Sequence, residues 1–285
     1  MSEIVKAILL GIVQGLTEFM PVSSTGHLII AGEVLEFGGE FAKTFDIAIQ
    51  LGSIMAVIII YSANFKEYIK LKPNLKIFPN VIHIILTLIP VVIVGVLLHG
   101  VIKQYLFTPI TVALSLIVGS IIMIFADYYQ HRKKSDINIG YKSAFAIGVI
   151  QCLSMWPGMS RSGVTISGGL FSGMGYKKAS MYSFICAVPV MIAACGYELF
   201  KTSVVLSNND ILLLAIGFVV SFLVGWGSII FLLKLIPRTK LWPFSVYRII
   251  LAIIILSSSM GAKSSSHSRD IQETVVRETK LQAAP

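Results

Sequence analysis

Six long, predominantly apolar runs, at about 45–61, 81–100, 109–126, 179–200, 211–233 and 243–260, restrict this chain to helices packed across a bilayer. A hydrocarbon core about 30 Å thick needs roughly 17–25 apolar residues per helix, and each run meets that length. The runs are apolar all round, which marks buried or lipid-facing helices and not amphipathic surface ones. Only 13% of the 285 residues are charged, about half the share in a soluble domain. Mean hydropathy is +0.84. The fold class that follows is an all-α polytopic membrane protein. The net charge of +9 does not signal nucleic acid, because the basic residues lie in short loops between apolar runs, where membrane topology accounts for them. No nucleic-acid partner is expected. Cys152, Cys186 and Cys195 all fall in apolar stretches without a CxxC pair and read as small buried hydrophobes. Gln14 and Glu18 break the first apolar run with no small-residue cleavage site after it, so no cleavable signal peptide is expected.

Two more apolar segments fail the length test, and they fail it in the same way. Residues 4–13 are apolar, then Gln14, Glu18, Pro21 and the Ser23-Ser24-Thr25-Gly26 turn intervene before a second short run at 27–35. Residues 143–155 are likewise broken by Pro157-Gly158 and by Ser160-Arg161-Ser162-Gly163 and Thr165. The breaks align without a gap 137 positions apart: Gln14 on Gln151, Leu16 on Leu153, Ser23 on Ser160, Gly26 on Gly163, with Thr17/Ser154 and Thr25/Ser162 exchanging hydroxyl for hydroxyl. Proline and glycine at each break favour a turn. Both segments therefore read as re-entrant helical hairpins, since irregular backbone at membrane depth is tolerated only inside protein or along a cavity.

Lysine and arginine test this topology. With six full crossings and two re-entrant hairpins, one set of loops holds thirteen basic residues between Lys66 and Lys240, and the other holds four: Lys6, Lys43, Lys103 and Lys201. The richer side should be cytoplasmic, which leaves both termini outside. Each half is then one hairpin plus three crossings. An odd number inverts the second copy, giving an inverted-topology repeat whose hairpin tips meet near the midplane, with repeat one at about 1–127 and repeat two at about 138–262. Residues 1–262 form a single integral membrane domain in this reading. The stretch 263–285 is polar and serine-rich, and reads as a disordered tail or the remnant of an appended sequence. Gly169 and Gly173 make a GxxxG suited to close helix packing.

Charges inside a membrane are costly, so Glu18 and Arg161 mark function or a structural ion pair between the hairpins. Ser23, Ser24 and Thr25 precede the second half-helix of hairpin one, and Ser160 and Ser162 hold the same place in hairpin two. A helix N-terminus offers free N–H groups and partial positive charge to an anion. One hydroxyl would suffice to cap each helix, so several at each tip point to an anion site, with Arg161 supplying a fork that matches phosphate oxygens. His27, two residues after the first cluster, suits acid–base or nucleophilic work. Glu18, one turn after Gln14 on the same helix face, is suited to hold a divalent cation together with substrate phosphates, to act as a general base, or to orient His27. These three roles stay open.

On Gln14-xxx-Glu18, Pro21-Val22-Ser23-Ser24-Thr25-Gly26-His27 and Pro157-Gly158-Met159-Ser160-Arg161-Ser162-Gly163-Val164-Thr165 the chain resembles the undecaprenyl-diphosphate phosphatase family, the bacitracin-resistance proteins. The resemblance covers roughly residues 1–260, with both motifs in order. It implies a hydrolase of the bacterial plasma (inner) membrane that removes the terminal phosphate of a C55 isoprenoid diphosphate lipid and recycles the carrier for cell-wall synthesis. It also implies a required divalent cation, Mg²⁺ or Ca²⁺, held through Glu18, and an active site opening to the outer face. Glu18, His27, Arg161 and Ser24 are the implied catalytic residues, and Gln14, Ser23, Thr25, Gly26, Ser160, Ser162 and Thr165 line the phosphate site. Some members carry glutamate where this chain has Gln14, so Glu18 is here the sole motif carboxylate and a mechanism needing two cannot operate unchanged. Two other readings stand beside it. One is a secondary transporter or flippase of a phosphorylated lipid, because broken helices in inverted repeats are common in transport folds; the other is a lipid-binding scaffold without turnover. The nucleophile (His27, Ser24 or water) and assembly into a homo-oligomer stay open.

Overall fold

The computed structural model of the chain describes residues 1–70, 74–106, 108–201 and 206–257. In chain order its helices are α1 (Glu3–Thr17), α2 (Ser24–Val34), α3 (Gly39–Ile60), α4 (Ser62–Tyr68), α5 (Val81–Tyr105), α6 (Pro109–Lys133), α7 (Tyr141–Gln151), α8 (Arg161–Phe171), α9 (Tyr176–Lys201), α10 (Asn208–Thr239) and α11 (Trp242–Ser257). A 3-10 turn at Cys152–Met155 joins α7 to the break before α8. No strand occurs among the described residues. Lys72 of the basic loop and the expected tail at 263–285 lie outside the described residues.

Five helices, α3, α5, α6, α9 and α10, are long and apolar enough to cross a membrane. The sixth expected crossing, 243–260, is described as far as Ser257, and α11 falls in the shorter class of 10–17 residues. The long helices outrun the apolar windows that announced them, because their ends are polar. Ser207 and Asp210 form a reciprocal capping box before α10, as Thr108 and Thr111 do before α6, and α6 continues past its window into a last turn that holds His131, Arg132 and Lys133. Hydropathy marks the part of a helix that matches hydrocarbon, whereas the caps mark where the helix begins. The short α4 was not expected; its polar composition gives no hydropathy signal.

The two interrupted segments are pairs of short helices. α1 has 15 residues and α2, α7 and α8 have 11 each, all below the roughly 17 needed to cross. α1 packs on α2 and α7 on α8, so each pair folds back on itself. α10 lies along α3 and α1, while α8 is enclosed by α6 and α9. The main core joins the two pairs: Phe19 beside the first break packs with Phe184 of α9 edge to face, centroids 5.3 Å apart, in a cluster with Met123, Ile147, Ile166 and Ile229.

Small residues set the closeness of this packing. A Cβ on Gly15 of α1 would come within 2.8 Å of Ser221 O, Val224 Cβ and Gly225 N of α10. One on Gly52 of α3 would collide with Ser221 Oγ and Phe218 O on the same helix. Gly52→Ala is therefore expected to destabilise the protein by about 1–3 kcal/mol through overpacking. Thermal unfolding in detergent reads this, and an unchanged melting temperature would mean that α3 and α10 separate freely.

Candidate active site

The two breaks end in the same unusual backbone. Ser23 has φ 74° and ψ 94°, and its hydroxyl accepts from Gly26 N at 3.3 Å to cap α2. Ser160 has φ 68° and ψ 103°, and accepts from Gly163 N at 3.2 Å to cap α8. Non-glycine residues with positive φ are uncommon and costly unless their surroundings hold them. Finding two at aligned positions means the chain turns in one particular way before each half-helix. That turn aims both helix N-termini at a shared space, where partial positive charge accumulates.

The tips touch. Arg161 Nη2 donates to Glu18 Oε1 at 2.8 Å, and Ser162 Oγ donates to the Met20 carbonyl at 2.9 Å. The side chains of Arg161 and Glu18 are only 11% and 7% exposed, so this pair is shielded from water and far from the weak surface case. The other Glu18 oxygen, Oε2, accepts from Gln14 Nε2 at 3.0 Å and from Ser24 Oγ at 2.9 Å. Arg161 is held further by the Ser183 carbonyl at 3.2 Å and by the face of Phe19, 5.9 Å from its ring centre.

A cavity of about 150 Å³ opens at this junction, lined from the motifs by Glu18, Ser23, Ser24, Thr25, Ser160 and Arg161. It accommodates a compact polar group and little more, since one water occupies roughly 30 Å³ of liquid. Two buried polar atoms, Nε of the cavity-lining Arg161 and Oε1 of Gln14 behind Glu18, have no protein partner, although most buried polar groups are paired. A wider cleft of about 600 Å³ adjoins it, sharing Thr25 and Gln50 and edged by Glu33, Glu36 and Asp46.

Not every expected residue faces the cavity. Gln14 is buried behind Glu18 and meets the cavity through it. Gly26 serves as the N–H that Ser23 caps, and Ser162 spans to Met20. Thr165 is buried one turn into α8 and donates to Gln151 Oε1 at 3.0 Å and to the Arg161 carbonyl at 2.7 Å, so it steadies the second tip from behind. His27 is half-buried on α2, with Nδ1 2.7 Å from the Ser23 carbonyl and Nε2 2.7 Å from Tyr247 Oη. It stands beside the tip and outside the residues that line the 150 Å³ cavity.

Sequence reasoning missed several contributors, among them Met191, which lines the cavity and meets Arg161 Nη2 at 3.5 Å. Gln50 and Ser154 line the cavity, and Tyr247 and Arg248 of α11 touch the tips from outside the motifs. Ser154 could have been found, because it is the aligned partner of Thr17. Gln50 sits in an ordinary apolar run and carries no local signal.

Comparison with known proteins agrees with the motifs. Residues 7–254 match the family model described as bacitracin resistance protein BacA. The chain is 48% identical over 259 residues to undecaprenyl-diphosphatase 1 of Bacillus anthracis, covering 89% of this chain and 97% of that protein. It is 42% identical over 259 residues to undecaprenyl-diphosphatase of Nitratidesulfovibrio vulgaris (strain DP4), covering 90% and 98%.

Proposed function

The chain belongs to the bacitracin resistance protein BacA family, and from that premise we propose how its two motifs share the hydrolysis of undecaprenyl diphosphate. The protein is an integral membrane hydrolase that releases inorganic phosphate and returns undecaprenyl phosphate to cell-wall synthesis, an activity that confers bacitracin resistance. The observation that carries the mechanism is the buried Glu18–Arg161 pair, one residue from each motif, with Ser24 bonded to the same carboxylate.

Arg161 and the N-termini of α2 and α8 receive the diphosphate. An arginine with two converging helix N-termini presents donors to several phosphate oxygens at once, and Ser23, Thr25 and Ser160 add hydroxyls, while Ser162 holds the two tips together through Met20. The attacking group is the Ser24 hydroxyl, already donating its proton to Glu18 Oε2, which meets the requirement that a nucleophile lie within hydrogen-bond reach of an oriented base. Ser24 Oγ bonds to the terminal phosphorus, its proton passes to Glu18, and the bridging P–O bond breaks to release undecaprenyl phosphate. Water then cleaves the phosphoserine. Arg161 holds the charge on the transferring group throughout. This assignment departs from a direct attack by His27, whose two ring nitrogens are engaged by Ser23 and Tyr247; His27 instead steadies the first tip.

A divalent cation, Mg²⁺ or Ca²⁺, completes the proposal. Among the described residues no three His, Cys, Asp or Glu side chains form a metal-binding group, so a full protein cage does not fit. A cation shared between protein and substrate does, because Mg²⁺ is commonly held by one or two carboxylates plus phosphate oxygens and water. Glu18 is the carboxylate, and the unpartnered Gln14 Oε1 beside it is a second oxygen. Such an ion, held by Glu18, would supply positive charge to offset the negative charge that develops on the phosphates.

Six crossings and two re-entrant hairpins arranged as an inverted-topology repeat best accommodate these tips. The matching Ser23 and Ser160 backbones and the thirteen-to-four split of basic loop residues support that arrangement. Both termini then lie outside the bacterial plasma membrane and the site opens to its outer face. The test is phosphate release from undecaprenyl diphosphate by purified protein, with and without chelator, together with trapping of labelled phosphoenzyme. Wild type is expected to release phosphate only with the divalent ion and to carry label that Ser24→Ala loses. Label on histidine would move the nucleophile to His27, and no phosphate release with either ion would leave transport as the better reading.

A further inference from the structure

Two consecutive residues of α11, contained in neither motif, reach the site from one side. Arg248 is fully buried and forms no ion pair among the described residues. Its guanidinium donates to four backbone carbonyls instead: Nη2 to Gly158 at 3.1 Å, Leu116 at 3.2 Å and Ser115 at 3.3 Å, and Nη1 to Pro21 at 3.5 Å. Pro21 belongs to the first tip and Gly158 to the second, so one side chain holds both breaks against α6. Glycines make room for it: a Cβ on Gly163 in the first turn of α8 would lie 3.2 Å from Nη1, and one on Gly119 of α6 would collide with Nη2. A buried cation without a counter-ion is costly at membrane depth and is retained where function needs it.

Tyr247, the preceding residue, leaves the helix about 100° away, given 3.6 residues per turn. It stacks on His27, rings 5.6 Å apart and 10° from parallel. His27 Nδ1 faces the Ser23 carbonyl, which can only accept, so Nδ1 carries the hydrogen. Nε2 of the neutral ring is then the acceptor, and it receives the Tyr247 hydroxyl at 2.7 Å. The Ser23 carbonyl thus fixes the tautomer, and Tyr247 fixes the plane of the ring. The start of α11 is itself anchored: Asp127 of α6 accepts from Leu241 N at 2.9 Å and from Trp242 N at 2.7 Å, and Tyr176 Oη donates to it at 3.0 Å.

We propose that Tyr247 and Arg248 are the positioning residues of this active site, Arg248 fixing the two tips relative to each other and Tyr247 fixing His27. The inference rests on the phosphatase reading and adds to it residues that touch neither the reacting phosphate nor its cation. The test compares purified full-length wild type, R248K and Y247F for kcat and KM on undecaprenyl diphosphate, with thermal unfolding in the same detergent. Lysine keeps the charge, but its single ammonium lacks the planar fork that reaches carbonyls of three elements. R248K is expected to lose about ten- to a hundredfold in kcat, the effect of a misplacement near 1 Å, with KM changed less than about threefold. Y247F keeps the ring and loses one oxygen, and should lower kcat by about tenfold with unchanged KM and melting temperature, because the tip that His27 steadies then holds Ser24 less well in place.

Wild-type kcat in R248K overturns the clamp, and wild-type kcat in Y247F overturns the hold on His27. A loss that appears in KM or in melting temperature in place of kcat gives these residues a binding or structural role and overturns the proposal as well. An inactive wild type in the same assay brings down the phosphatase reading and this inference with it, whereas an active wild type with unaffected variants overturns this inference alone.

Discussion

Arg161→Ala is expected to reduce phosphate release by about 10³-fold or more, the range that arginines contribute when they hold a transferring phosphoryl group. Two losses combine. The transition state loses the protein cation that holds it, and Glu18 is left as an unpaired carboxylate in a site where its partner was only 11% exposed. Removing one member of a buried pair costs about 3–5 kcal/mol because the other charge stays behind, so the variant should also unfold at lower temperature. Arg161→Lys separates the two. It restores a charge beside Glu18, and with it most of the melting temperature. A single ammonium does not reproduce the fork that meets Glu18 with Nη2 and the Ser183 carbonyl with Nη1. Activity in Arg161→Lys should therefore stay far below wild type while stability recovers. If lysine restored both equally, the arginine would be a structural counter-ion and the catalytic assignment would fail. Kinetics and thermal unfolding on the three proteins decide it.

The residues legible from sequence are those that contradict their surroundings. Glu18 and Arg161 are charges in apolar stretches, and the hydroxyl clusters repeat at a fixed offset, so local pattern alone picks out both tips. Their meeting is also anticipated by pattern, because two broken segments too short to cross have little use for polar tips except against each other. The individual partners inside the site are another matter. Nothing in the sequence says that Ser24 bonds to Glu18 Oε2, or that Thr165 turns back to Gln151 while Ser160 lines the cavity. All three are hydroxyls within one turn of a helix start, and the backbone turn at Ser23 and Ser160 selects among them.

Arg248 shows where sequence reading fails for a physical reason. It is an intramembrane charge by position, but it lies near the start of an apolar run, where a cation ordinarily reaches back to the interface along its own stem. Only the fold reveals that it turns inward to Gly158 and Pro21, buried completely. Tyr247 and Gln50 are harder still, since each is a common residue in a membrane helix and gains meaning from a partner more than a hundred positions away or from a cavity. Helix ends were obscured for a related reason. Polar residues at helix ends carry no hydropathy signal, so α3 and α10 begin before their apolar windows do and α6 ends after its own.

Glu18→Gln is the second large effect, and its sign in binding is opposite to its sign in catalysis. In the resting site the carboxylate occupies Arg161 Nη2 through Oε1 and accepts from Ser24 and Gln14 through Oε2. A diphosphate must compete with Oε1 for the guanidinium. Glutamine keeps the shape and withdraws the charge, so Arg161 is freed for phosphate while Ser24 loses its base and the cation its carboxylate. Turnover should fall by about 10²–10³-fold, the scale of removing one preorganised electrostatic group. With chelator present, inorganic pyrophosphate should bind more tightly than to wild type by roughly tenfold, since a hydrogen bond to a charged group is worth about 1.5–3 kcal/mol and 1.4 kcal/mol is a factor of ten. Titration of the two proteins with pyrophosphate, read by calorimetry alongside phosphate release, checks both halves. Weaker binding in the variant would mean that Glu18 attracts the ligand through something other than Arg161. Unchanged turnover would remove Glu18 from the chemistry and return the proton of Ser24 to another acceptor.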